Sequence, residues 1–230
     1  MHETVVPLES SPDVFTNFAR QLGLNSQMAF HDIYSLTDPE LLAFLTRPMS
    51  AIILLFPINE LFESLKDHST PLDSQSTPVI WFKQTINNAC GMYALFHSLA
   101  NNRELLEVDS KFNKYLSENK KADGRYGGKD SMDFVYSLSD LYKTNSQMGQ
   151  TTAPDPAAAV DLHFITFVEH EGKVYELDGR KSGPLVLGSA SSKDLVDEPL
   201  IKTRVKWYMD NADEKMKHQF SLLGLGPSWD

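Results

Sequence analysis

The chain has 230 residues, and its 31 acidic against 21 basic side chains give a formal charge of -10, which argues against nucleic acid or an anionic membrane as principal partner and would steer in a basic ligand. One cysteine excludes an intrachain disulfide and any zinc site built on several cysteines, and it fits a reducing compartment, the cytoplasm or the nucleus. No apolar run nears the roughly 18 residues of a membrane span and no leader pattern opens the chain, while 41% hydrophobic residues supply one core; a single domain over 1–230 is expected, burying roughly 70% of its unfolded surface.

Helix punctuation is clear at the start: Ser10 or Ser11 can cap, Pro12 suits a first turn, and VFTNFARQLG runs to Gly23 as a stop. AFHDIYSL then alternates like a short strand, and TDPELLAFL predicts a second helix with Thr37 or Asp38 as cap. SAIILLFPI is an unbroken apolar run ended by Pro57, as in a strand buried on both faces. Residues 64–78, rich in Ser, Thr and Pro, read as an exposed loop, and VIWF as another strand. From Asn88 the pattern turns helical, with Met92, Leu95, Phe96 and Leu99 on one stripe and Asn101-Asn102 as its end.

Residues 103–148 read as mostly polar helix with a loop at KKADGRYGGKDS. LHFITFVEHEGKVYELDGR is the best hairpin signal, two alternating runs flanking Glu171-Gly172. A strand near PLVLG, a helix across KWYMDNADEKMKH and an apolar end, FSLLGLG, complete the chain. The fold class is mixed α/β, with helices on both sides of a sheet.

Cys90 opens the helix predicted from Asn88, with Asn87 and Asn88 as possible caps. The macrodipole there favours a negative sulfur, and a thiol attacks as thiolate; yet free cysteine is also among the most buried residue types, so a plain core role stays open. Gln84, six residues upstream, can present its side-chain N–H beside the Cys90 backbone N–H as an oxyanion hole, or be an ordinary polar residue before a helix. Seven histidines, His2, His31, His68, His97, His163, His170 and His218, compete as base. His97 fails, since seven helical residues carry it about 10.5 Å from Cys90, and it reads as a core histidine. His163 starts the hairpin. With a two-residue turn, cross-strand partners have numbers that sum to 343, so Asp178 lies diagonal to His163 on one face and can hold one imidazole nitrogen while the other faces the sulfur. A purely structural ion pair is the alternative.

QTINNACG, DLHFI and YELDGR, supported by PLESSPDVF, LLFPI and the terminal GLGPSWD, resemble the ubiquitin carboxyl-terminal hydrolases of the UCH type, papain-related cysteine peptidases, and the small fungal members in particular. The resemblance covers nearly the whole chain. It implies a UCH-type papain-like fold with a central antiparallel-rich sheet and a knotted backbone. It implies Gln84 as oxyanion donor, Cys90 as nucleophile, His163 as general base and Asp178 as its orienting acid, with no cofactor or metal. The partner would be ubiquitin or a ubiquitin-like modifier, cleaved after its C-terminal glycine, with Glu9, Asp13 and Asp32 at positions that hold it. About 145–161 corresponds to a crossover loop over the active site that limits leaving groups to small adducts or flexible peptides. A free-standing monomeric enzyme is expected, with a catalytically silent binding module or a cysteine peptidase of other specificity as alternatives.

Overall fold

The computed structural model describes residues 5–65, 79–119, 126, 129–149 and 161–229. The expected loop at 64–78 falls almost wholly outside them, as does most of the crossover loop at 145–161. Six strands form one antiparallel sheet: β1 Met28–Asp32, β2 Ala51–Pro57, β3 Leu162–His170, β4 Lys173–Leu177, β5 Leu185–Ser189 and β6 Ser221–Pro227. Their order is β1-β6-β2-β3-β4-β5. The helices are α1 Pro12–Leu22, α2 Pro39–Leu42, α3 Glu60–Ser64, α4 Cys90–Ala100, α5 Lys111–Glu118, α6 Lys129–Ser137, α7 Ser139–Ser146 and α8 Pro199–Asp210.

The apolar run of β2 is explained by a core on each face of the sheet. Ala51 and Ile53 pack with α1, α4 and α5, while Ile52, Leu54 and Phe56 pack with α8, so alternate residues of a two-residue period feed opposite layers. Helix α1 begins at Pro12 and stops at Gly23, whose φ of 117° is open to glycine without strain. Helix α4 is buried along its whole length, as an all-round apolar helix must be.

The hairpin has the register expected of it. Pairs run from His170↔Lys173 to Thr166↔Leu177, and both turn residues have positive φ, 48° at Glu171 and 77° at Gly172, the type I′ conformation that matches strand twist.

Three expectations are corrected, and the apolar end acquires an element. The second helix shrinks to α2, a single turn capped by the Asp38 side chain, because the apolar residues meant to anchor it stay exposed, Phe44 at 69%. VIWF joins no strand ladder. Polar side chains of α4 take the place of a neighbouring strand: Asn101 accepts from Ile80 N (2.7 Å) and donates to Ile80 O (2.8 Å), and His97 Nε2 accepts from Phe82 N (3.0 Å). The last helix lies earlier than KWYMDNADEKMKH, because Pro199 with the Glu198 cap starts it and Asn211 ends it, leaving a 3-10 turn over Glu214–Gln219. The apolar end is β6, inserted between β1 and β2; a continuous apolar stretch there fits a strand paired on both edges.

Candidate active site

Cys90 sits at the first position of α4, 6% exposed. Asn87 and Asn88 do not cap the helix as expected; Ala89 holds the cap position and no side chain caps it. The dipole's positive end is left to the sulfur instead, which accepts from the backbone N–H of Gly91 and, across on β3, of Phe164. His163, the second residue of β3, places its Nε2 2.7 Å from Asp178 Oδ1. The ring is also hydrogen bonded to Cys90, and the nitrogen left for that bond is Nδ1, an assignment made from the network.

Burial alone would push the Cys90 thiol up, but the hydrogen bond and charge of His163 and the two backbone N–H groups bring it below its ordinary value. Burial would lower His163; the charge and hydrogen bond of Asp178, with Cys90 in support, raise it to about 9. Asp178 resists its own burial because His163, Lys181 and the Arg180 backbone N–H hold it well below the usual carboxylate range. At neutral pH the row therefore holds an imidazolium and a carboxylate, and the imidazolium beside the sulfur favours the thiolate form of Cys90. A thiol at a helix start with an imidazole oriented by a carboxylate is the arrangement that a thiol hydrolase requires.

Gln84 lies in the ladderless segment, its backbone N–H donating to Gly179 O at 2.8 Å. Its side-chain Nε2 gives one hydrogen to Ile86 O at 3.0 Å, and an amide nitrogen carries two. Gly179 permits this approach, since a Cβ there would lie 3.0 Å from Gln84 Cβ.

Three residues that nothing in the local sequence pattern singles out complete the frame. Trp81 Nε1 donates to Asp178 O (3.0 Å), Lys83 Nζ donates to Arg180 O (2.9 Å) and Lys181 O (2.8 Å), and Arg180 N donates to Asp178 Oδ1 (2.8 Å). The turn 178–181 is thus tied to the segment that carries Gln84.

Of the remaining histidines, His97 is the buried core residue expected of it, and burial lowers it to about 4. His31 Nε2 meets Pro227 O at 2.7 Å and binds β1 to the chain end. His2 and His68 lie outside the described residues. Asp13 and Asp32 line one open cleft with the exposed Tyr34, Phe44 and Trp229, but Glu9 is not among that cleft's lining residues and lies against Gly149. Among the described residues, no group of three or more His, Cys, Asp or Glu could hold a metal ion, and no helix is long and apolar enough to cross a membrane.

Residues 5–210 match the family described as ubiquitin carboxyl-terminal hydrolase, family 1. The chain is 46% identical over 235 residues to ubiquitin carboxyl-terminal hydrolase YUH1 of Saccharomyces cerevisiae, covering all of this chain and 98% of that one. It is 34% identical over 196 residues to a ubiquitin carboxyl-terminal hydrolase of Aplysia californica, covering 84% and 90%. Among solved structures, the UCH37 catalytic domain of Trichinella spiralis, bound to ubiquitin vinyl methyl ester, shares the fold with a TM-score of 0.70 at 21% identity, over 97% of this chain and 95% of that one. The chain belongs to the ubiquitin carboxyl-terminal hydrolase family.

Proposed function

We propose that the protein is a deubiquitinating thiol hydrolase, a single catalytic domain that cleaves small adducts or flexible peptides from the C-terminal glycine of ubiquitin or a close ubiquitin-like modifier. The observation that carries this reading is the hydrogen-bonded row Cys90–His163–Asp178, buried at the start of α4 in a chain of this family.

In the reaction, the Cys90 thiolate attacks the glycine carbonyl carbon and the carbonyl electrons move to oxygen. That oxyanion rests on the second Gln84 Nε2 hydrogen and the Cys90 backbone N–H. As the tetrahedral intermediate collapses to a thioester, His163 gives its proton to the departing amine or alkoxide. The neutral imidazole then takes a proton from water, the resulting hydroxide attacks the thioester, and the sulfur leaves as thiolate. Asp178 holds the ring throughout and stabilises its charged form.

The acidic chain suits the basic tail of ubiquitin. Asp13 and Asp32, sharing one cleft with exposed aromatic side chains, support a ubiquitin-holding surface there, whereas Glu9 has weaker support. We read the enzyme as a monomer of the cytoplasm, and of the nucleus as well, in keeping with its lone cysteine.

The test uses purified protein and ubiquitin carrying a fluorogenic amide at its C-terminus, beside Cys90→Ala. Release by the parent protein alone, with ubiquitin still bound by the variant, is expected. Release at the parent rate by Cys90→Ala would overturn the mechanism. Binding without turnover by the parent would make the protein a silent ubiquitin-binding module.

A further inference from the structure

Behind the His163–Asp178 pair lies a cavity of about 190 Å³, and beneath its wall sits a carboxylate with no exposure, Glu176. Three groups converge on it: Lys181 Nζ at 2.5 Å, Arg204 Nε at 2.6 Å and Tyr208 Oη at 3.0 Å. Both ends of this cluster lead to the reacting row. Lys181, itself 8% exposed, returns by a turn in which its N–H donates to Asp178 O at 3.2 Å, and its charge acts on the Asp178 carboxylate. Tyr208 packs on Phe56 with ring centres 4.4 Å apart, and Phe56 stands edge-on to the His163 imidazole at 5.8 Å. The charges alternate from Cys90 through His163, Asp178, Lys181 and Glu176 to Arg204.

We propose that Lys181 and Glu176 are positioning residues for the Cys90–His163–Asp178 row, with Glu176 and Arg204 fixing the lysine behind Asp178 so that its charge sets the potential at which the thiolate–imidazolium pair forms. The inference rests on the catalytic reading of that row. Among the described residues, the Tyr142 hydroxyl, pushed well above its ordinary value by burial and the charge of Cys90, stays neutral, and Lys83 Nζ is held by the carbonyls of Arg180 and Lys181. Arg180 is spent on Glu63 of α3, and His97 of α4 is neutral above pH of about 4. Lys181 is the cation behind Asp178 whose partner, Glu176, can be removed to change the field without touching the row.

The signs are opposite for the two partners. Removing the lysine charge makes every proton in the row harder to lose, so both limbs of the pH profile rise; removing the Glu176 charge leaves Lys181 less compensated, and both limbs fall. Cys90 is the only cysteine, so its alkylation by iodoacetamide against pH reads the pair without ubiquitin. Lys181→Met should move the acid limb up by about 0.5 pH unit, a roughly threefold slower alkylation on that limb. Lys181→Arg should hold the limb in place, Glu176→Gln should move it down, and Glu176→Gln/Lys181→Met should return it toward the parent. If Glu176→Gln does not fold, Lys181→Met against Lys181→Arg decides the matter. A Lys181→Met variant that reacts or turns over more slowly with both limbs unmoved would overturn the proposal. A parent protein whose cysteine alkylates only at ordinary thiol pH would instead overturn the catalytic reading, and this inference with it.

Discussion

The two walls of the Cys90 site are held by different means. One is the β3–β4 hairpin, where a backbone ladder with a type I′ turn delivers His163 and Asp178. The other is the segment 79–84, which carries Gln84 and has no strand partner; the side chains of His97 and Asn101 hold it from α4, and Trp81 and Lys83 tie it to the turn 178–181. A buried histidine serves each wall, His163 within the hairpin and His97 behind the segment 79–84, and their charges differ for a physical reason. His163 has a buried carboxylate and a sulfur beside it and is raised to about 9; His97 accepts a backbone N–H in apolar surroundings and is lowered to about 4. A ladder distributes its load over many bonds, whereas a wall held by side chains is exposed to single substitutions.

The hairpin wall breaks hardest at its acid. Asp178→Asn leaves the backbone ladder intact but removes the charge that keeps His163 protonated, so turnover at neutral pH should fall by about 10³ to 10⁴-fold, with the alkaline limb of the pH profile moved down. An unchanged profile would show that Asp178 is only structural.

On the other wall, Gln84→Ala should reduce kcat by about 10² to 10³-fold, the loss expected for one oxyanion donor, while a thermal melt stays close to the parent because the side chain makes a single hydrogen bond to Ile86.

The two histidines separate in the pH dependence of stability. A histidine lowered from 6.5 to about 4 contributes stability that is present above 6.5 and lost as pH falls toward 4, at most about 3 kcal/mol. His163 does the opposite: its contribution is full below 6.5 and lost as pH rises through about 9. Urea unfolding across pH 4 to 9 should therefore show stability declining on both sides, and His97→Gln should flatten the acid side alone.

Asn101→Ala strips both bonds from Ile80 and should cost about 2 kcal/mol in urea unfolding, with kcat falling because Gln84 loses its support. Smallest is Gly179→Ala: the new methyl meets Gln84 Cβ at 3.0 Å and its backbone nitrogen at 3.2 Å, and a displacement of a few tenths of an ångström should lower kcat by about tenfold with KM little changed.

How far the site could be read from the chain depended on whether the relevant distance was local. The helix stop at Gly23, the double burial of 51–57, the helix that starts at Cys90 and the register that brings Asp178 to His163 all follow from turn residues and periodicity within about twenty positions, where sterics and burial act directly on neighbouring residues. That Asp13 and Asp32 line one cleft while Glu9 lies beside Gly149 is set by the packing of α1 on β1 and not by spacing along the chain.

Tertiary structure alone decided what pairs across the chain. VIWF has the composition of a strand, and only the arrival of Asn101 and His97 satisfies its backbone without one. FSLLGLG is apolar for a reason visible only when β6 slides between β1 and β2. Lys83, Trp81 and the Glu176 cluster are ordinary residues in sequence; they acquire roles because the fold brings residues 81–84, 176–181 and 204–208 to one place, where low dielectric makes each charge and each hydrogen bond count. The chain by itself determined which side chains could do the chemistry. The long-range packing determined how they are aimed and at what pH they are charged.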